Sequence, residues 1–298
     1  MSPDPQPRQT LGYVKSLLAS RGVRPKNKLG QNFLIDLNLI DLVVRTAELT
    51  RDDLVLEVGT GTGSLTQRLA EIAGAVLTVE VDASVQDMAM ESLGQLPNVR
   101  FLLADALRNK NELNPGMIDA IGELRQAFGC NRVKLVGNLP YAIATPLIAN
   151  LLLTDLPIEC MVVTVQWEIA ERMTAGPGSA AYGALAVLLQ SVAEVRVIRR
   201  LAPSVFWPRP QVDSAIVAIR PDASKRAAVG DVKRFREFLR DLYVHRRKNL
   251  RGAIAGSPRG RRDKEEVDRR LAELGLVGDV RAEQLDITQH LRLCEVFG

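Results

Sequence analysis

Leu54-Val-Leu-Glu-Val58, Gly59-Thr-Gly61-Thr-Gly63, Ser64 to Ile72 and Ala75-Val-Leu-Thr-Val-Glu80 read in succession as an apolar strand, a glycine turn, a helix and a second apolar strand. Strands joined through a helix run parallel, so this stretch predicts a βαβ unit and an α/β fold. Glycines at 59, 61 and 63 let the backbone pass close beneath a ligand, and the helix that follows offers its unpaired N–H groups at the same place. Glu80 closes the second strand roughly 20 residues beyond the loop, the position of an acid that accepts hydrogen bonds from ribose hydroxyls. A dinucleotide fingerprint requires glycine where Ser64 stands, so this loop does not meet it.

The alternation continues outward. Val99 to Leu103 reads as a third strand ending at Asp105, whose carboxylate either accepts from a ligand amine or simply starts a loop. A polar insertion and helix, Asn109 to Gly129, lead to Val133-Lys-Leu-Val-Gly-Asn138-Leu-Pro-Tyr141, a fourth strand. Thr145 to Leu153 reads as helix, Glu159 to Val165 as strand, and a further helix begins near Trp167. Ligands of open α/β sheets bind at the carboxyl ends of the strands, which is where Gly59, Glu80, Asp105 and Asn138 fall.

The fourth strand end suits a planar amine. The Asn138 side-chain carbonyl accepts one hydrogen, the Leu139 backbone carbonyl, its path fixed by Pro140, accepts a second, and Tyr141 offers a ring to stack on. Drawing both hydrogens from the ring plane localises the lone pair of a nucleobase amine, which then attacks an electrophilic methyl; Asn138 orients it and is not a strong base. The competing reading is an ordinary turn, for which Asn and Pro are common.

With 298 residues and 46% hydrophobic content, the chain suffices for one large domain and a smaller one. No apolar run is long enough to cross a bilayer, and the Pro-rich start lacks a secretory signal, which predicts a cytoplasmic protein. Three scattered cysteines and two histidines give no metal-ligand spacing and no triad. Residues 221–298 hold 18 Lys/Arg against 13 Asp/Glu, whereas residues 1–220 hold 21 against 22. The basic excess lies in the tail, suggesting a polyanionic partner or a solvated helical surface.

Residues 1–25 read as a flexible arm with a short helix near Leu11 to Ser20, residues 26–220 as the α/β domain and residues 221–298 as an all-α domain. Asp36 is placed to cap a helix reaching about Glu48. Gly176 to Gly183 reads as a mobile loop, Val192 to Arg199 and Ala215 to Ile219 as strands, and Pro221 to Gly230 as a linker. Helices are expected over Val232 to Ile254, Lys264 to Leu274 and Ala282 to Phe297. On the Pro-stiffened loop Ser204 to Ser214, Phe206 reads as an exposed second stacking face opposite Tyr141, with a core position as the alternative.

The blocks Leu29-Gly-Gln-Asn-Phe-Leu34, Glu57 to Gly63, Gly137 to Tyr141, Gln166 to Arg172, Ala181 to Gly183, Phe206 to Ser214 and Arg246-Arg-Lys248 together resemble the ribosomal RNA adenine dimethyltransferase family. The resemblance implies a Rossmann-like class I methyltransferase domain and transfer of two methyl groups from S-adenosylmethionine to each of two adjacent adenosines near the 3′ end of small-subunit rRNA, within a nearly mature subunit. It implies that Asn32, Leu34, Gly59, Gly61, Glu80, Asp105 and Asn138 line the cofactor site, and that Asn138, Leu139, Pro140, Tyr141 and Phe206 hold the target base. Arg246, Arg247, Lys248 and Arg251 are expected on RNA, no metal or membrane is expected, and a monomer is favoured. Ala142, Ala144 and Gln211 depart from the family pattern. Rival readings are a non-catalytic ribosome-assembly factor on the same fold and a large-subunit rRNA methyltransferase.

Overall fold

Apolar runs without alternation demand strands covered on both faces, and the two strands around the glycine loop are buried at every residue. The computed structural model describes residues 11–26, 30–244, 248–258 and 260–298; Lys28, Leu29, His245, Arg246, Arg247 and Arg259 lie outside the described residues. In chain order the elements are α1 (Leu11–Ser20), β1 (Phe33–Leu34), α2 (Leu37–Thr46), β2 (Asp53–Val58), α3 (Ser64–Ile72), β3 (Ala75–Glu80), α4 (Ala83–Leu93), β4 (Val99–Leu103), β5 (Leu107–Asn109), β6 (Glu112–Leu113) and α5 (Pro115–Phe128). There follow β7 (Arg132–Asn138), α6 (Tyr141–Leu151), β8 (Ile158–Gln166), α7 (Trp167–Thr174), α8 (Ala184–Gln190), β9 (Ala193–Leu201), β10 (Phe206–Trp207) and β11 (Ser214–Pro221). The remaining helices are α9 (Ala223–Val229), α10 (Val232–Tyr243), α11 (Leu250–Ala255), α12 (Lys264–Glu273) and α13 (Ile287–Phe297).

A seven-stranded sheet runs in the order β4-β3-β2-β7-β8-β11-β9. Strands β4, β3, β2, β7 and β8 are parallel, so their carboxyl ends share one edge; β11 is antiparallel to β8. The opposite edge is held by charge. Lys134, 1% exposed, places Nζ 3.1 Å from Asp53 Oδ2 and donates to the carbonyls of Ala47 and Glu48 at 3.0 and 2.9 Å, while Arg132 Nε reaches Asp53 Oδ1 at 2.8 Å. Buried charges endure only when paired and hydrogen-bonded in this way.

The chain divides into two compact units: one runs to Trp167 and adds Val197–Ile219, the other comprises Glu168–Arg196 and Arg220–Gly298. A linear boundary at residue 220 therefore leaves α7 and α8 on the other side from the C-terminal helices with which they are grouped. Pro221 to Gly230, expected as a linker, holds α9, because Asp222 caps it by accepting from Ser224 and Lys225 N–H and Gly230, with φ +68°, ends it. The helix expected over Val232 to Ile254 stops at Tyr243 and resumes at Leu250 under a second cap, Asn249, which accepts from Gly252 N–H. Asp82 likewise caps α4, an element the strand pattern alone did not reveal.

In the second unit His290 is fully buried, stacked on Tyr243 with ring centroids 5.9 Å apart and edge-on to Tyr182. Its Nε2 meets the Tyr243 hydroxyl at 3.1 Å and its Nδ1 the Asp286 carbonyl at 2.8 Å. Burial pushes the imidazole pKa down to about 4. Because the folded value lies below the unfolded one, near 6.5, the unfolded chain binds the proton more tightly. The stability contribution is present above about pH 6.5 and is lost as pH falls toward 4. Thermal unfolding followed from pH 7 to pH 4 should show a falling midpoint, with a shallower slope in His290→Phe.

Candidate active site

The glycine loop leaves β2 with φ of +93° at Gly59, +58° at Gly61 and +81° at Gly63, left-handed values that L side chains resist. A Cβ at Gly61 would come 3.3 Å from the Phe33 ring, and one at Gly59 3.4 Å from Pro140 Cδ. The loop is thus seated between β1 and the turn after β7. Beside it opens a cleft of about 470 Å³ including its mouth, bounded by Phe33, Leu34, Gly59, Gly61, Asn138 and Thr164. Ile40, Val43 and Leu65 add apolar wall, and Glu57 a polar one.

Asn138 is the last residue of β7 and pairs in register with Thr164 of β8. Its Nδ2 donates to the Asn32 carbonyl at 2.7 Å, and its Oδ1 accepts a short hydrogen bond from the Thr164 hydroxyl. These two partners fix which end of the amide is oxygen. An amide oxygen has two lone pairs, so Oδ1 retains acceptor capacity for an amine. Pro140 then caps α6, which starts at Tyr141, four residues earlier than the apolar pattern suggested. The half-buried Tyr141 ring is held at its far end by a 2.6 Å contact between its hydroxyl and Ser214 Oγ, and burial pushes the phenol pKa up.

Glu80 ends β3 with Oε1 accepting from Val81 and Asp82 N–H at 3.0 and 3.1 Å. Burial raises its pKa against the backbone groups of Asp82, Val81 and Gly61, which favour the charged form. Asp82 carries the next contacts: Lys26 Nζ at 2.8 Å and Gln31 Nε2 at 3.2 Å, so the stretch before β1 is tied to the Glu80 turn as well as, through Asn32, to Asn138. Asn32 Nδ2 itself donates to the Gly30 carbonyl at 3.2 Å. Asp105 is exposed and its Oδ1 accepts from Leu107 N–H at 2.9 Å, a local turn. Glu57, 1% exposed, accepts from Thr66 Oγ1 at 2.6 Å, and burial pushes its pKa up to about 8.

The expected exposed face of Phe206 is corrected: the residue is 1% exposed and belongs to the core cluster with Leu34, Leu39 and Ile40. The cause is strand alternation. β10 pairs antiparallel with β1, Leu34 opposite Phe206 and Phe33 opposite Trp207, so Phe206 turns into the core while Trp207 joins Phe33 against α1. In the second unit Lys248 is exposed, whereas Arg251 is held by Asp268 through 2.7 Å contacts to both carboxylate oxygens. Arg246 and Arg247 lie outside the described residues. Glu57 and Phe33 stand inside the sequence blocks quoted above, which give neither a role of its own at the site; Thr164 lies outside those blocks, and only its place near a strand end hints at it.

A parallel sheet with a glycine loop after its first central strand, an acid after the next and an amide at the fourth strand end defines a Rossmann-like methyltransferase domain. A profile of the family Ribosomal RNA adenine dimethylase matches residues 22–292, and the chain belongs to that family. It is 39% identical, over 95% of each chain, to Ribosomal RNA small subunit methyltransferase A of Pelotomaculum thermopropionicum, and 35% identical, over 91% of each, to the protein of that name from Lachnoclostridium phytofermentans. Among solved structures it is similar to a dimethyladenosine transferase from Plasmodium falciparum (23% identity, TM-score 0.68, covering 87% of this chain and 94% of that one). It is also similar to the 23S rRNA methyltransferase ErmE (27% identity, TM-score 0.63, covering 89% of this chain and 99% of that one).

If the Thr164 hydroxyl sets the Asn138 amide, Thr164→Val should slow single-turnover methyl transfer by about 5- to 10-fold, the worth of one net hydrogen bond, and Thr164→Ser should restore most of it. Equal rates in all three proteins would remove Thr164 from that role.

Proposed function

We propose that this chain transfers methyl groups from S-adenosylmethionine to the exocyclic amines of two adjacent adenosines near the 3′ end of small-subunit rRNA, acting in the cytoplasm on a nearly mature subunit. The observation that carries the reading is Asn138: its amide is oriented from two sides at the edge of a cleft floored by the glycine loop, with acceptor capacity to spare. The residues present fit the cofactor. The left-handed glycines leave room that a Cβ would take, the apolar wall of Leu34 and Ile40 suits the methylene groups of the methionine part, and Glu80 is a buried acid able to accept from hydroxyls. Asn32, Leu34, Gly59, Gly61, Glu80 and Asp105 would hold it, with Asn138 at the border with the base.

The cofactor supplies an electrophilic methyl group. The chain supplies the amine's geometry: Asn138 Oδ1 and the Leu139 carbonyl accept its two hydrogens, which directs the nitrogen lone pair toward the methyl and stabilises the charge that develops on nitrogen. Tyr141 stacks on the base, its ring orientation set by Ser214. Phe206 is left out of the stacking pair because its ring is committed to the core. Lys248, with Arg246 and Arg247 beside it in sequence, carries the phosphate contacts we assign to the tail, and the chain acts as a monomer.

Tritiated methyl incorporation into small subunits lacking these methyl groups, into large subunits and into free rRNA tests the reading. Labelled dimethyladenosine confined to small subunits is expected. Label confined to large subunits would favour the specificity of ErmE's name, and binding without incorporation would favour an assembly factor.

A further inference from the structure

One cluster close to the proposed base site has no part in the mechanism. Trp167 begins α7 immediately after β8, and its backbone N–H donates to the Asp213 carbonyl at 2.9 Å. The Arg200 guanidinium lies over the indole, its central carbon 4.4 Å from the ring centroid. Asp213 Oδ2 holds that guanidinium through Nε at 2.8 Å and Nη2 at 2.7 Å. Despite both contacts the Arg200 side chain is 56% exposed.

We propose that Trp167, Arg200 and Asp213 form a stacking platform for an unpaired nucleobase flanking the target adenosine. The proposal rests on the RNA methyltransferase reading above. Placement supports it. Ser214, which anchors the Tyr141 hydroxyl, pairs with Gln166, so the platform begins one residue beyond the support of the target-base ring. Trp167 follows the carboxyl end of β8, three residues past Thr164, the partner of Asn138, roughly 10 Å on at the rise of an extended chain. A neighbouring nucleotide of the same strand can reach it.

The chemistry selects a base rather than a phosphate. Asp213 cancels the charge of Arg200, which weakens its attraction for a phosphodiester, and leaves a planar, weakly hydrated surface. Unpaired RNA bases stack on aromatic rings and on guanidinium planes with little sequence preference. Carboxylate and indole already restrict the Arg200 rotamer, so little further order is lost when a base lands on it. Exposed Arg209, on the loop between β10 and β11, remains for the backbone.

The test uses the full-length chain, S-adenosylmethionine and undermethylated small subunits. Trp167→Ala should lower kcat/KM for subunits roughly 5- to 100-fold, the cost of one stacked base. S-adenosylmethionine affinity by calorimetry should not change, nor should the salt slope of subunit binding, since no phosphate contact is lost. Trp167→Phe should recover most of the loss. Arg200→Ala, which leaves the α7 backbone contact in place and serves if Trp167→Ala does not fold, should lower kcat/KM about threefold or more. Unchanged kcat/KM in the alanine variants, a loss that Phe does not recover, or a flattened salt slope overturns the platform. No methyl transfer by the unsubstituted protein instead overturns the reading on which it rests.

Discussion

Asn138 is held from two sides at once: its Nδ2 by the carbonyl of Asn32, brought in from more than a hundred residues upstream, and its Oδ1 by the hydroxyl of Thr164 on the adjacent strand. Neither partner is sequence-local, so the amide is oriented only when β7 and β8 are paired in register and Asn32, next to β1, presents its carbonyl. Both conditions are met by the same parts that shape the cleft. Gly59 admits Pro140, Gly61 admits Phe33, and the Lys26 and Gln31 contacts to Asp82 draw the segment before β1 toward the Glu80 turn. An acceptor preorganised this way pays no reorientation cost when an amine arrives.

The sheet keeps its charges at separate edges. At the amino edge, Asp53, Lys134 and Arg132 satisfy one another and the carbonyls ending α2, which makes a rigid base. At the carboxyl edge, Glu80 accepts from backbone N–H groups and Glu57 from the threonines Thr66 and Thr78, and among the described residues neither carboxylate has an ion pair with a cation. Burial works against the charged form of both acids: it pushes the Glu57 pKa up to about 8, so that carboxyl is largely protonated at neutral pH, whereas the backbone donors on Glu80 favour its charged form against the same burial.

Much of this was readable in the chain, for physical reasons. Continuous apolar runs separated by a helix fix parallel strands, so β2, α3, β3 and β4 fall where the pattern puts them, and the glycine loop borders the cleft while Glu80 ends β3 outside its lining. Three things did not show. Phe206 carries no local sign of its direction, because the face it takes is set by pairing with Leu34, some 170 residues away. Thr164 sits inside an apolar strand and reads as β-branched filling; its hydroxyl acquires a role only through register with Asn138. Asp82, Asp222 and Asn249 each cap a helix that apolar periodicity alone misses, merges or reads as linker, because a cap acts through a local hydrogen bond to the backbone.

The most direct measurement is single-turnover methyl transfer to undermethylated small subunits at saturating S-adenosylmethionine by the Asn138→Ala protein, with subunit binding followed in parallel. Loss of one preorganised polar contact at a reacting centre predicts a rate lowered about 10²- to 10³-fold, while subunit binding, on the proposal that it rests on dispersed phosphate contacts, stays near that of the unsubstituted chain. Near-normal transfer by that protein would contradict the amine-holding role of Asn138.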